Sequence, residues 1–244
     1  MNAIEIKELT KKYKDFTAVD KLDLTIGEGE LFGLLGVNGA GKTTTIKMLS
    51  CLSKPTSGTA VLMGNSITEK PDEVKKIISI STQETAVAPN LTVRENLEFI
   101  AKIYSVPDPK AAADKVIADF SLGEKENSRT KTLSGGWQRK VSIAMALITS
   151  PKILFLDEPT LGLDVLARRE LWNVIRKLKS KMTIILTTHY LEEAEALCDR
   201  IAIMTIGKLR AIGTAEELKQ LAGKESFEDA FIEIAENAGK EELK

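Results

Sequence analysis

The sequence predicts an α/β fold built on a mainly parallel sheet, with an N-terminal antiparallel β subdomain and an inserted helical subdomain. Three observations carry this. Short apolar runs bounded by turn residues alternate with helical patterns, as expected for strands buried on both faces and joined by crossover helices. The first strands instead alternate apolar and polar residues, as strands with one wet face do. Between about residues 89 and 150 the strand signal stops and helical spacing takes over.

The elements follow in order. Residues 4–9 alternate apolar and polar, and Leu22, Leu24 and Ile26 mark a second strand of the same kind. Residues 31–35 form an apolar run that enters a glycine loop, followed by a helical pattern over residues 42–52. Ser57-Gly58 turns the chain into a strand at residues 59–63, and residues 77–81 read as another. Thr92 followed by Glu95 is a capping box, after which Leu97, Ile100 and Tyr104 recur at helical spacing. Val141, Met145 and Ile148 share a later helical face. Apolar strands resume at residues 153–156, 183–187 and 201–204. The first two are separated by a helix with Leu171, Val174, Ile175 and Leu178 on one face. Residues 1–220 are expected to form one unit carrying the insert. Residues 221–244 read as a short C-terminal tail that frays over its polar end, 239–244.

The 244 residues hold 34 Lys plus Arg against 35 Asp plus Glu, a formal net charge of −1, so the basic footprint of a nucleic-acid binder is missing. No nucleic-acid partner is expected. Cys51 and Cys198 stand in no metal or redox spacing. No apolar run approaches the ~20 residues that span a bilayer. The N-terminus lacks the basic and apolar regions of a signal peptide. Any membrane role would be borrowed from a partner.

Gly36-Val37-Asn38-Gly39-Ala40-Gly41-Lys42-Thr43 has four residues between its first glycine and Gly-Lys-Thr, the pattern of a phosphate-binding loop. Glycines let backbone N–H groups approach phosphates without a Cβ clash, and the following helix points its positive end at them. Lys42 can reach the β- and γ-phosphates, and the Thr43 hydroxyl can ligate Mg²⁺. A plain Gly-rich turn before a helix explains the glycines but not the Lys-Thr pair. Residues 153–156 are apolar and end in Asp157-Glu158. A buried strand that opens at its carboxyl end is where α/β sheets bind ligands. Asp157 is placed to hold Mg²⁺, and Glu158 to act on an attacking water as general base or polariser.

Leu133-Ser134-Gly135-Gly136-Trp137-Gln138 lies between these two motifs. It resembles the signature motif of the ABC ATPases, and the other family motifs follow in order along nearly the whole chain. The resemblance implies a P-loop NTPase core whose phosphate loop, from Gly36, Asn38, Gly39, Ala40 and Gly41 to Lys42, Thr43 and Thr44, holds ATP with Mg²⁺. Tyr13 resembles the aromatic that stacks on adenine. Gln83 resembles the Q-loop glutamine, a Mg²⁺ sensor that links the subdomains. Leu161-Gly162-Leu163-Asp164 resembles the D-loop, which brings Asp164 to the dimer interface. His189, the sole histidine, resembles the switch residue that contacts the γ-phosphate. The family closes two chains head to tail, so Ser134, Gly135 and Gly136 of each are expected on the partner's nucleotide.

Two positions depart from the family pattern. Residue 137 is Trp where Gln is commonest, and residue 161 is Leu where Ser is usual. Residues 188–195, 198–200 and 226–231 resemble the ABC-2 type export branch. That implies a homodimer driving a separate integral membrane permease subunit at the cytoplasmic face of the cell membrane. The segment from Gln83 to about Phe99, with its apolar Ala86-Val87-Ala88-Pro89 stretch, is the expected dock for that subunit. An importer ATPase and a non-transport ABC ATPase stay open as alternatives. A metabolic P-loop kinase leaves Ser134-Gly135-Gly136 unexplained.

Overall fold

The computed structural model describes residues 1–179 and 181–241. The chain runs β1 (Asn2–Tyr13), β2 (Phe16–Gly27), β3 (Leu31–Leu35), α1 (Lys42–Leu49), β4 (Ser57–Leu62), β5 (Asn65–Ser66), α2 (Pro71–Ile77) and β6 (Ile78–Ser81). Then come α3 (Val93–Ile103), α4 (Pro109–Asp119), α5 (Gly135–Leu147), β7 (Ile153–Asp157), α6 (Val165–Lys179), β8 (Thr183–Thr188) and α7 (Leu191–Leu197). The chain ends with β9 (Arg200–Thr205), β10 (Lys208–Gly213), α8 (Ala215–Ala222) and α9 (Phe227–Glu241).

Two sheets result. The first has the order β2-β1-β4-β5 and is antiparallel throughout. The second has the order β10-β9-β3-β8-β7-β6, parallel except for the β9–β10 pair at its edge. The apolar runs explain the burial of the second sheet. Every residue of β3, β7 and β8 is buried, and successive side chains enter different cores. Phe32, Leu34, Phe155 and Ile185 face the first sheet together with Ile4, Leu22 and Ile46. Leu31, Leu154, Leu156, Ile184 and Leu186 face the opposite way, where they meet Val93, Leu97, Phe120, Val141, Leu171 and Ile175 of the helices. The helical stretch therefore shares one continuous core with the sheet.

Local signals set the helix starts. Thr92 Oγ1 accepts from the Glu95 N–H at 3.1 Å, and the Glu95 carboxylate accepts from the Thr92 N–H at 2.8 Å. Asp108 caps α4, with Pro109 in its first turn. The stretch from residue 221 contains more than a tail. Thr214 and Glu217 cap α8, Gly223 ends it at φ 65°, and α9 follows. Phe227 is buried against Leu35, Ile201, Ile203 and Leu218, with Phe231 and Ile234 packed on the same cluster, and Ala230 is fully buried. The expected fraying of 239–244 falls partly outside the described residues. Four further elements differ in their bounds from the sequence reading. Residue 77 closes α2 rather than opening a strand, α1 stops at Leu49, and β1 and β2 extend to twelve residues each. Among the described residues, no helix is long and apolar enough to cross a membrane.

Candidate nucleotide site

Register brings the functional loops together. Leu35 pairs with Thr188, and Asp157 pairs with Thr187. The residues that follow β3, β7 and β8 thus leave the sheet side by side at its carboxyl edge. These are Gly36, Glu158 and His189.

The loop conformation requires glycine at two places. A Cβ on Gly36 would lie 2.3 Å from the Met204 carbonyl oxygen of the neighbouring strand. Gly41 has φ 101°, and a Cβ there would lie 2.5 Å from the Ala18 oxygen. The loop folds around Lys42, which is 4% exposed. Its Nζ donates to the Gly36 oxygen at 2.6 Å and the Val37 oxygen at 3.2 Å, and lies 3.7 Å from Glu158 Oε1. Burial pushes the Lys42 ammonium below its usual value, and the nearby Glu158 and Asp157 carboxylates oppose that shift.

Thr43 and Asp157 form the second part of the site. Thr43 Oγ1 donates to Asp157 Oδ1 at 3.1 Å, and Thr187 Oγ1 donates to the same oxygen at 2.5 Å. The backbone N–H of Glu158 donates to both the carbonyl and the hydroxyl of Thr187, each at 3.1 Å. These two bonds hold Glu158 at φ 47°, a left-handed conformation that costs a non-glycine residue about 1–3 kcal/mol. The carboxylate is thereby turned between two partners. Oε1 faces Lys42, and Oε2 lies 3.0 Å from His189 Nδ1. A carboxylate only accepts hydrogen bonds, so the imidazole is the donor in that contact.

Lys42, Thr43, Asp157, Glu158 and His189 thus converge as the motifs require. The other expected residues stand apart. Tyr13 ends β1 half-exposed, with the Lys11 ammonium 5.0 Å over its ring. The Gln83 side chain is exposed. Ser134 caps α5, its hydroxyl facing the Trp137 N–H at 3.5 Å. A Cβ on Gly135 would meet open space, whereas one on Gly136 would lie 2.8 Å from Ala167 Cβ, so α5 packs closely on α6 there. Asp164 Oδ1 accepts from the Leu166 and Ala167 N–H groups at 2.9 Å each and so caps α6. Trp137 is half-buried, with the Lys140 ammonium 4.9 Å over its ring, and Leu161 is exposed.

The Ala86-Val87-Ala88-Pro89 stretch is less available than its composition implies. Val87 packs against the helical core. The Ala88 N–H donates to Asn96 Oδ1 at 2.8 Å, and its carbonyl accepts from Thr130 Oγ1 at 2.7 Å. The exposed apolar side chains of this region are instead Leu52, Phe99, Ile103 and Tyr104. Leu52 and Tyr104 line a groove of about 700 Å³ with Ile78, Ile80, Val106 and Ile148.

Three residues missed in the sequence complete the site's frame. Thr187 holds both acids, as described. Arg139, 3% exposed, sends its guanidinium under the loops. Its Nε donates to the Pro159 oxygen at 2.8 Å. Nη1 donates to the oxygens of Thr82 at 2.5 Å and Gln83 at 3.2 Å. Nη2 donates to those of Asp157 at 3.0 Å and Glu158 at 3.3 Å. Burial lowers this guanidinium to about 10, against the attraction of Asp157 and Glu193. Glu193 is fully buried, and Trp172 Nε1 donates to its Oε1 at 3.0 Å. Burial raises the Glu193 carboxyl, opposed by the bond from Trp172, while Oε2 has no hydrogen-bond partner among the described residues.

Comparison with known proteins identifies the family. The ABC transporter family matches residues 19–161, which include the phosphate loop, Ser134–Gly136 and the acidic strand end. The chain is 43% identical over 224 residues to the daunorubicin/doxorubicin resistance ATP-binding protein DrrA of Streptomyces peucetius. That alignment covers 91% of this chain and 68% of the relative. It is also 43% identical over 226 residues to the phospholipid-transporting ATPase ABCA3 of Homo sapiens, covering 90% of this chain but 13% of that protein. A dimeric ATP-binding cassette in a post-hydrolysis state, bound to ADP and Pi, superposes with a TM-score of 0.76. The two are 28% identical over 86% of this chain and 98% of the other. The chain belongs to the ABC transporter family, as an ATP-binding and ATP-hydrolysing subunit.

Proposed function

We propose that two copies of this chain close head to tail around two ATP-Mg²⁺ and drive a separate membrane subunit, in the direction of export. The observation that carries the reading is a division of labour. Lys42, Thr43, Asp157, Glu158 and His189 converge on one site. Ser134 and Gly135 stand exposed at the start of a different helix. A helix start with a capping hydroxyl that can still donate and glycine N–H groups is suited to an anion. In the head-to-tail reading its anion is the nucleotide of a second chain. Similarity to a drug-resistance and a phospholipid-transporting ATPase supports a role in moving amphipathic cargo outward.

In the proposed reaction the phosphate loop N–H groups and Lys42 hold the β- and γ-phosphates. Lys42 donates to two loop carbonyls and lies beside Glu158. ATP competes for that ammonium and frees the carboxylate to face water. Glu158 then takes a proton from the attacking water as its oxygen bonds to the γ-phosphorus, while His189 fixes the carboxylate's orientation. The bond from the γ-phosphorus to the bridging oxygen breaks, and ADP and phosphate leave. Thr43 Oγ1 and Asp157 Oδ1 are adjacent hard oxygen donors that fit Mg²⁺, which characteristically takes one carboxylate, a hydroxyl and phosphate oxygens. When bound it would neutralise charge on the phosphates.

The membrane subunit docks on the exposed Leu52, Phe99, Ile103 and Tyr104 around the groove beside the Q-loop segment, on the membrane's cytoplasmic face. Two tests follow. The chain should co-purify with a membrane protein from detergent-solubilised membranes, and a photo-cross-linker at Tyr104 should capture it. Capture from exposed positions on the opposite face, with none from Tyr104, would move the interface. Mixing Lys42→Ala with Ser134→Arg should yield ATP-driven heterodimers with one intact and one doubly damaged site. Failure to form them would overturn the head-to-tail arrangement.

A further inference from the structure

Arg139 has no place in the motifs that identify the chain, yet it is the best-connected buried cation among the described residues. It lies one turn into α5, three positions after Gly136. Its guanidinium reaches five backbone oxygens on two separate segments: Thr82 and Gln83 after β6, and Asp157, Glu158 and Pro159 where β7 ends. Among the described residues no carboxylate pairs with it directly. A guanidinium carries five N–H donors in a rigid plane, so its whole capacity goes to fixing where these two segments lie relative to one helix. The two oxygens at Asp157 and Glu158 belong to the residues that face Mg²⁺ and the attacking water. The helix that carries Arg139 begins with the anion site that faces the second chain.

We propose that Arg139 is a positioning residue that ties the Ser134–Gly136 helix start to Glu158 and the Gln83 loop of the same chain. Capture of the partner's nucleotide at Ser134–Gly136 would thereby set the geometry of the chain's own hydrolytic site. The proposal rests on the head-to-tail reading above. It states how the two sites of such a dimer sense each other. When α5 shifts on binding, the five carbonyls shift with it, and Glu158 moves towards or away from its working position. An error of about 1 Å in a reacting group can cost roughly 100-fold in rate.

The test is Arg139→Lys, which keeps the charge but not the planar fork, so one ammonium cannot span both segments. Fluorescent ATP-analogue binding to the monomer confirms that the variant folds, because Lys42 and the phosphate loop do not touch Arg139. The expected result is unchanged monomer affinity, kcat lower by about 10–100-fold, and a Hill coefficient for ATP that drops from above one in the parent to about one. Arg139→Gln, which loses charge and fork together, should fall at least as far. Wild-type kcat and Hill coefficient in Arg139→Lys would overturn the proposal. So would failure of both variants to fold and bind nucleotide, which would make Arg139 a core residue only. The head-to-tail reading fails separately, if Glu158→Gln protein stays monomeric by light scattering with saturating ATP-Mg²⁺.

Discussion

Replacing Glu158 with Gln removes one negative charge and one proton acceptor while preserving volume. The surroundings state what each loss is worth. Lys42 Nζ lies 3.7 Å from Oε1. At an effective dielectric of about 20 that pair attracts by roughly 4.5 kcal/mol gross. The gross figure does not become lost stability, because both groups are largely buried and their desolvation offsets most of it. Lys42 also keeps its bonds to the Gly36 and Val37 oxygens, and a Gln oxygen can still accept from His189 Nδ1. The variant should fold and bind ATP at least as tightly as the parent, since a carboxylate no longer faces the phosphates. Turnover is a different matter. A positioned general base supplies about 10²–10⁴-fold, equivalent to roughly 2.7–5.4 kcal/mol of barrier. Phosphate release at saturating ATP-Mg²⁺ should fall by that factor, while a fluorescent ATP analogue titrates normally. A variant whose turnover stays within about threefold of the parent would refute the role assigned to Glu158.

Two further outcomes follow. Burial raises the Glu193 carboxyl above its ordinary 4.5, so the fold favours the protonated form. The stability this proton gives is complete below that ordinary value and is lost as pH rises through the raised folded value. Glu193→Gln is neutral throughout, so its melting temperature should rise relative to the parent over the same window. A difference that is flat with pH would mean Glu193 is not protonated on folding. Trp137 emission in Glu158→Gln protein should shift on adding ATP-Mg²⁺, and the shift should grow with protein concentration, because closure is bimolecular. With Lys140 already over the ring, an unchanged spectrum in a dimer seen by light scattering would leave Trp137 a packing residue.

What was legible in the sequence is what chemistry writes as residue type at fixed spacing. A phosphate loop needs glycines, Lys42 and Thr43 in one register, and a buried strand ending in Asp157-Glu158 is apolar until its last residues. The strands beneath them were legible for the same reason, since Leu31–Leu35 and Ile153–Asp157 must be apolar to lie inside two cores. Arg139, Thr187 and Glu193 were not. Arg139 acts on backbone oxygens, which any residue supplies, so no partner pattern marks it. Thr187 reads as an ordinary β-branched strand residue, and its bond to Asp157 exists only because β7 and β8 are neighbours. Glu193 sits among acids that composition assigns to a solvated helix face. The docked helix at the C-terminus did carry a signal, the helical spacing of Phe227, Ala230, Phe231 and Ile234, but the polar residues after it outweigh that spacing.

The central claim is that each nucleotide is shared by the phosphate loop of one chain and the Ser134–Gly136 helix start of another. It is tested most directly by cross-linking across that site. Two preparations in the Glu158→Gln background, with Cys51 and Cys198 replaced by Ser, would carry Asn38→Cys in one and Ser134→Cys in the other, with different tags. Mixed and oxidised with ATP-Mg²⁺, they should give a disulfide-linked heterodimer that is absent without nucleotide. If light scattering shows an ATP-dependent dimer but residues 38 and 134 do not join, the chains meet some other way and the shared site is wrong.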